Sequence, residues 1–183
     1  MPELSVCVFC GSRKGVRPAY EGAAVELGQE IARNGWRLVY GAGDIGLMGT
    51  IARSAMNGGA DTFGVIPIHL LQREAGKQDL MRFVVTEDMH ERKKVMFMNS
   101  DAVVVLPGGA GSLDEFFEVL TWAQLGLHAK PIILLNTEGY WDPLIKLIEH
   151  VIGEGFADPS LGDYMTVVPD VPAALAALRS ARS

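Results

Sequence analysis

Short apolar stretches, many of them rich in β-branched residues, recur along the chain at residues 4–9, 37–40, 62–66, 83–86, 102–106, 132–135 and 166–168. Most are continuously hydrophobic rather than alternating, the pattern of strands covered on both faces. Between them apolar positions fall at helical spacing over 19–34, 47–57, 89–99, 113–126, 142–154 and 171–182, with Gly35 and Gly126 closing the first and fourth of these segments. Strand and helix alternate along the chain. The pattern therefore predicts an α/β fold, a Rossmann-like doubly wound, mostly parallel sheet flanked by helices, in a single domain over 1–183. Only 68–82 reads as a longer excursion, with a weak helical pattern and a length sufficient to cover a site.

Where strands end, the turns are small or charged: Gly11-Ser-Arg-Lys-Gly15, Gly41-Ala-Gly-Asp-Ile-Gly46, Glu87-Asp-Met-His-Glu-Arg-Lys93 and Pro107-Gly-Gly-Ala-Gly-Ser112. In a parallel sheet these turns share the carboxyl edge, where open α/β sheets bind ligands. Three of them are glycine-rich, which points to a phosphate-bearing ligand.

Composition narrows the field. The 183 residues are 49% hydrophobic and 21% charged, an ordinary globular balance with glycine raised to 21 residues. Sixteen basic against 22 acidic residues give a net charge of −6, and no cationic cluster exceeds Arg92-Lys93-Lys94, which disfavours a nucleic-acid or anionic-membrane surface. No apolar run approaches the ~20 residues of a membrane helix, and Met1-Pro2-Glu3 lacks the basic start of a signal peptide, so a cytoplasmic location is expected. Cys7 and Cys10 lie in or beside a strand, where residues three apart face opposite sides, and read as packing residues rather than a redox pair. His69, His90, His128 and His150 are scattered with no metal spacing, and no metal or cofactor is implied.

Gly41-Ala-Gly43-Asp-Ile-Gly46 fits a dinucleotide fingerprint, but the following strand ends Val65-Ile66-Pro67 without the acidic residue that a ribose would require. Asp61 stands at that strand's wrong end. Tight turns around a smaller ligand explain the glycines better. Pro107-Gly108-Gly109-Ala110-Gly111-Ser112-Leu113-Asp114-Glu115 describes a phosphate cradle: glycines exposing N–H groups, a helix start, and a hydroxyl able to cap or to donate to an anion. A P-loop is excluded because no lysine follows the last glycine. By spacing alone, Glu115 forms a capping box with Ser112. Arg92 is either a solvated first-turn charge or a cation facing an anion across the crevice; three cations at a helix start oppose the macrodipole and favour the second reading. Phe116, Phe117 and Trp122 on the next helix read as core, with a subunit contact or base pocket as the alternative.

Pro107-Gly-Gly-x-Gly-Ser-x-x-Glu115 closely resembles the PGGxGTxxE signature of the LONELY GUY (LOG) phosphoribohydrolases. Met89-His-Glu-Arg-Lys93, Tyr40-Gly-Ala-Gly, Gly46-Leu-Met-Gly49, Gly64-Val-Ile-Pro67 and Thr121-Trp-Ala-Gln-Leu-Gly126 also resemble blocks of that family, in its order, so that the likeness covers about 4–157. It implies a Rossmann-like dimer that hydrolyses the N-glycosidic bond of N6-substituted adenosine 5′-monophosphates, releasing cytokinin base and ribose 5-phosphate, with AMP as a further substrate of many bacterial members. It implies Arg92 and Glu115 as the catalytic pair, reversing the capping reading of Glu115. It implies nucleotide contacts from Glu74, Lys93, Gly108, Gly109, Gly111, Ser112, Leu113, Asp114 and Thr121. Three departures stand out: Ser112 for threonine, Ala42 within the usual three glycines, and Arg13 for a second serine after Ser12. The alternative is a non-catalytic module that binds or senses a nucleoside monophosphate through the same cradle. A homodimer is expected from the resemblance and from the surplus of apolar positions at Phe116, Phe117, Leu120 and Trp122.

Overall fold

The computed structural model describes residues 2–71 and 83–180. Seven strands, β1 (Ser5–Phe9), β2 (Arg37–Tyr40), β3 (Asp61–Pro67), β4 (Phe83–Thr86), β5 (Ala102–Val105), β6 (Ile132–Leu135) and β7 (Thr166–Val168), form one parallel sheet in the order β4-β3-β2-β1-β5-β6-β7. Seven helices connect and follow them: α1 (Pro18–Arg33), α2 (Gly46–Asn57), α3 (Ile68–Leu71), α4 (Met89–Met98), α5 (Ala110–Gln124), α6 (Asp142–Gly153) and α7 (Val171–Ser180). The expected doubly wound α/β architecture is the one observed.

Period-two alternation splits each strand between two cores. In β1, Val6 and Val8 join the layer under α1, α2 and α7, while Cys7 and Phe9 join the layer under α4, α5 and α6. Cys10 belongs to the first layer and Cys7 to the second, and the two thiols are free and buried. Burial pushes both thiols well above their ordinary range, which makes them inert packing groups, as expected. On the first face α1 and α2 pack so closely that a Cβ on Gly28 would lie 2.7 Å from the Ser54 side chain.

The strand order sets the position of the site. The chain adds β2, β3 and β4 outward on one side of β1, then returns to place β5 against its other side. The loops leaving β1 and β5 therefore diverge toward opposite faces of the sheet, and a crevice opens between them at the carboxyl edge. Gly11 N donates to Pro107 O at 3.0 Å, and Leu47 N donates to Gly11 O at 3.0 Å, so the β1 loop is tied to both the β5 loop and the start of α2.

Candidate active site

The β5 loop supplies the cradle. Helix α5 starts at Ala110 with Gly109 as its N-cap and no side-chain cap. The first helical bond runs from Leu113 N to Gly109 O, and among the described residues the N–H groups of 109–112 have no acceptor. Such groups at a helix start present partial positive charge to an anion. A Cβ on Gly109 or Gly111 would meet nothing within 4 Å, so protein packing does not demand glycine there, and the open space is left for a ligand.

The capping box expected from spacing is not formed. Ser112 lies inside the first turn rather than at the N-cap, because Ala110 and Gly111 are helical. Ser112 as a residue is buried, and its Oγ lies close to Gly108, where an added Cβ would fall 2.0 Å from it. Tyr140, from the connection between β6 and α6, donates its hydroxyl to Gly108 O at 2.5 Å and braces the cradle. Nothing local in the sequence signals Tyr140, since its acceptor is a carbonyl 32 residues away.

Glu115 sits one turn further along α5, only 8% exposed, and Arg92 on α4 is 6% exposed. Arg92 is thus a buried residue and not a solvated charge. Its Nε donates to Val65 O at 3.1 Å and its Nη2 to Gly41 O at 2.9 Å, the carbonyls at the ends of β3 and β2. Those bonds fix the guanidinium plane and aim Nη1 at the Glu115 carboxylate, 3.8 Å away. That distance is an ion pair without a hydrogen bond. No other donor reaches the Glu115 oxygens among the described residues. Burial, only partly offset by Arg92, raises the Glu115 carboxyl from its ordinary 4.5 to about 7. A buried, under-bonded carboxylate poised near neutrality beside an anion cradle is the arrangement general-base and cation-stabilising chemistry requires.

The remaining expected residues fall around this pair. Lys93 is buried and bonds Asp114 at 2.9 Å and Glu118 at 3.2 Å, tying α4 to α5. Burial pulls the ammonium down, but the two carboxylates outweigh it and hold it above the usual lysine range. Leu113 packs half-buried against the core under α5, and Thr121 is exposed, two turns beyond Asp114 on the same helix. Glu74 lies outside the described residues. Phe116 and Leu120 are core residues, unavailable for a subunit contact, and Trp122 packs edge-on against Phe97 at 5.1 Å. Phe117, at 38% exposure, is the one of the four that presents its ring to solvent. Asp61 pairs with Arg37 at 2.9 Å at the amino end of β3, away from the crevice.

Gly41 shapes the setting of Arg92 opposite Glu115. A Cβ there would fall 1.6 Å from Nη2 of Arg92 and 2.7 Å from Cζ. Gly41→Ala is therefore expected to push the guanidinium off its two carbonyls and lower kcat/KM for base release at least about tenfold, ~1.4 kcal/mol, with the far-ultraviolet circular dichroism unchanged. Wild-type kcat/KM in this variant would contradict the placement of Arg92.

The fold and the crevice define a nucleotide-handling α/β protein, and the comparisons specify which. A family model described as "Possible lysine decarboxylase" matches residues 48–178. The chain is 46% identical over 164 residues to cytokinin riboside 5′-monophosphate phosphoribohydrolase LOG1 of Arabidopsis thaliana, covering 90% of this chain and 77% of that one. It is 43% identical to LOG3 of the same plant over the same share of this chain and 76% of the relative. The chain belongs to this LOG family. Among solved structures, the molybdenum cofactor binding protein of Rippkaea orientalis superposes with a TM-score of 0.75 at 21% identity, covering 100% of this chain and 99% of that one. The Moco carrier protein of Chlamydomonas reinhardtii gives 0.70 at 23%, covering 97% and 96%. At such identities the likeness is one of fold.

Proposed function

We propose that the protein hydrolyses the N-glycosidic bond of cytokinin riboside 5′-monophosphates, and of AMP, to free base and ribose 5-phosphate. The observation that carries this reading is the Glu115 carboxylate, buried, raised to about 7 and 3.8 Å from Arg92, one turn past an unfilled row of N–H groups. In the reaction the C1′–N9 bond breaks with its electron pair going to the purine, and positive charge builds at C1′. Ionised Glu115 stabilises that charge and takes a proton from the water whose oxygen bonds C1′; the departing purine takes up one proton from solvent to give the neutral base, and Glu115 returns its proton to solvent. Arg92, whose Nη1 faces Glu115, offers N–H groups on that side to ribose oxygens, and the cradle holds the 5′-phosphate so that remote binding energy positions the sugar.

Decarboxylation of lysine on pyridoxal phosphate, suggested by the family model's description, does not fit these residues. Lys93, the lysine beside the crevice, is held charged by Asp114 and Glu118, the opposite of what a Schiff-base amine requires, and Lys130, whose ammonium burial pulls down, donates to Phe97 O and Ser100 O before the amino end of β5, away from the crevice. No carbanion chemistry is assigned to the site.

The partner is a second copy of the chain, meeting at the surface formed by Phe117 with Met98, Leu125 and Leu127, which are 68%, 66% and 68% exposed. We place the protein in the cytoplasm, in keeping with two unlinked cysteines; no helix among the described residues is long and apolar enough to cross a membrane.

The 5′-phosphate is the handle, so kcat/KM for AMP should exceed that for adenosine by at least about thirtyfold, ~2 kcal/mol, the worth of several charge-assisted hydrogen bonds. Assay of free adenine from both compounds checks this. Equal values would contradict the cradle's role in turnover.

A further inference from the structure

We propose that Arg13 is the cationic wall of the phosphate crevice, a specificity-determining contact to the phosphomonoester of substrate and of ribose 5-phosphate, set opposite the glycine cradle; this rests on the hydrolase reading above. A cavity of about 340 Å³ lies between the β1 and β5 loops. Gly108 and Gly109 line one side, Arg13 and Lys14 the other, with the rings of Tyr20 and Tyr140 between them.

The cations around this cavity are not equivalent. Lys14 is paired with Glu21 at 2.6 Å, and Arg17, just beyond, with Glu138 at 3.3 Å. Arg13 has no carboxylate and no hydrogen-bond acceptor among the described residues. In a chain of net charge −6, a guanidinium at the ligand crevice without an acid partner is set to receive an anion. Its backbone is fixed there. Gly46, at φ 63°, packs so closely that a Cβ would lie 2.4 Å from Arg13 N, and the bonds from Gly11 to the β5 loop and from Leu47 to Gly11 pin the preceding residues.

The opposite wall is independently incomplete. Gly109 lines the cavity, and its N–H and those of the next three residues at the start of α5 have no acceptor among the described residues. A tetrahedral phosphate seated between the two walls accepts from N–H groups at the start of α5 on one side, and from the two-pronged edge of Arg13 on the other. Guanidinium is matched to that geometry in a way a lysine point charge is not.

The test is calorimetric titration of the full chain with ribose 5-phosphate and with inorganic phosphate, for wild type, Arg13→Ala, Arg13→Lys and Arg33→Ala. Arg33, at the far end of α1, removes the same charge away from the crevice. Arg13→Ala is expected to weaken ribose 5-phosphate about tenfold or more, Arg13→Lys to recover only part of the loss, and Arg33→Ala to stay within twofold. The ratio of kcat/KM for AMP over adenosine should fall in parallel. An unchanged Kd in Arg13→Ala, equal losses in Arg13→Ala and Arg33→Ala, or no binding of ribose 5-phosphate to wild type at millimolar concentration would overturn the assignment. Arg13-dependent binding in a protein that releases no base would support the crevice and defeat the hydrolase reading instead.

Discussion

Glu115→Gln should lower kcat for base release at least about a hundredfold, ~2.7 kcal/mol, while leaving the protein folded and more stable at alkaline pH. Glutamine keeps the shape of the side chain and removes the negative charge that the proposed mechanism sets against C1′. The stability gain follows from linkage. With the carboxyl near 4.5 in the unfolded chain and raised to about 7 in the fold, the folded state binds more protons between those values, so ionised Glu115 destabilises the fold as pH rises through 7. The full cost, on the order of 3 kcal/mol, is present above pH 7 and vanishes below 4.5. The variant's melting temperature should therefore exceed that of wild type more at pH 8 than at pH 5. Activity runs the other way: wild-type kcat should rise through an acid limb near pH 7 as Glu115 ionises. Retention of more than about a tenth of kcat in Glu115→Gln would remove this carboxylate from the reaction.

The second large effect distinguishes two neighbouring cations. Arg92→Ala should reduce kcat/KM at least about thirtyfold, a transition-state loss of 2–4 kcal/mol, whereas Lys94→Ala should stay within about twofold. Lys94 is exposed, two residues past a buried guanidinium that spans two main-chain carbonyls and faces Glu115. Removing Arg92 also removes the principal charge restraining the Glu115 carboxyl, so the acid limb of kcat should move to higher pH. Arg92→Lys should rescue poorly, because one ammonium cannot reach Val65 O and Gly41 O and still present a donor to the sugar. Equal kcat/KM for the two alanine variants, both folded by circular dichroism, would contradict this placement.

The five inner strands were legible because a sheet covered on both faces leaves uninterrupted apolar runs, and the edge strands β4 and β7, mostly exposed, showed through their β-branched residues; all seven appear within a few residues of where the runs lie. The start of α5 was less so. Glycines at 108, 109 and 111 read as loop, yet the helix begins at Ala110, because pairing of β5 with β1 and the Gly11-to-Pro107 bond fix the entry of the chain more strongly than helix propensity does. That shift moves Ser112 from cap to first turn and changes what its hydroxyl can do.

The pairing of Arg92 with Glu115 was suggested by resemblance and could not be derived from spacing. Arg92, Lys93 and Lys94 are three adjacent cations in the sequence, and only their angular positions on α4 separate a guanidinium fixed beneath the sheet edge, an ammonium paired to α5 and a solvated charge. The acceptors that orient Arg92 are carbonyls 27 and 51 residues away, which carry no side-chain signature. Tyr140 escaped for the same reason. The 3₁₀ turns Thr137–Gly139 and Pro159–Tyr164 likewise depend on packing rather than on periodicity, whereas α3 falls at the start of the segment that showed a weak helical pattern.

The most direct test of the hydrolase assignment is product stoichiometry from isopentenyladenosine 5′-monophosphate, with free base and ribose 5-phosphate quantified together for wild type and Glu115→Gln. Equimolar base and ribose 5-phosphate from wild type, with the variant binding the nucleotide but releasing almost none, is the predicted result. Nucleotide bound by wild type and recovered intact over many hours would contradict it, and would make this crevice a binding site without chemistry.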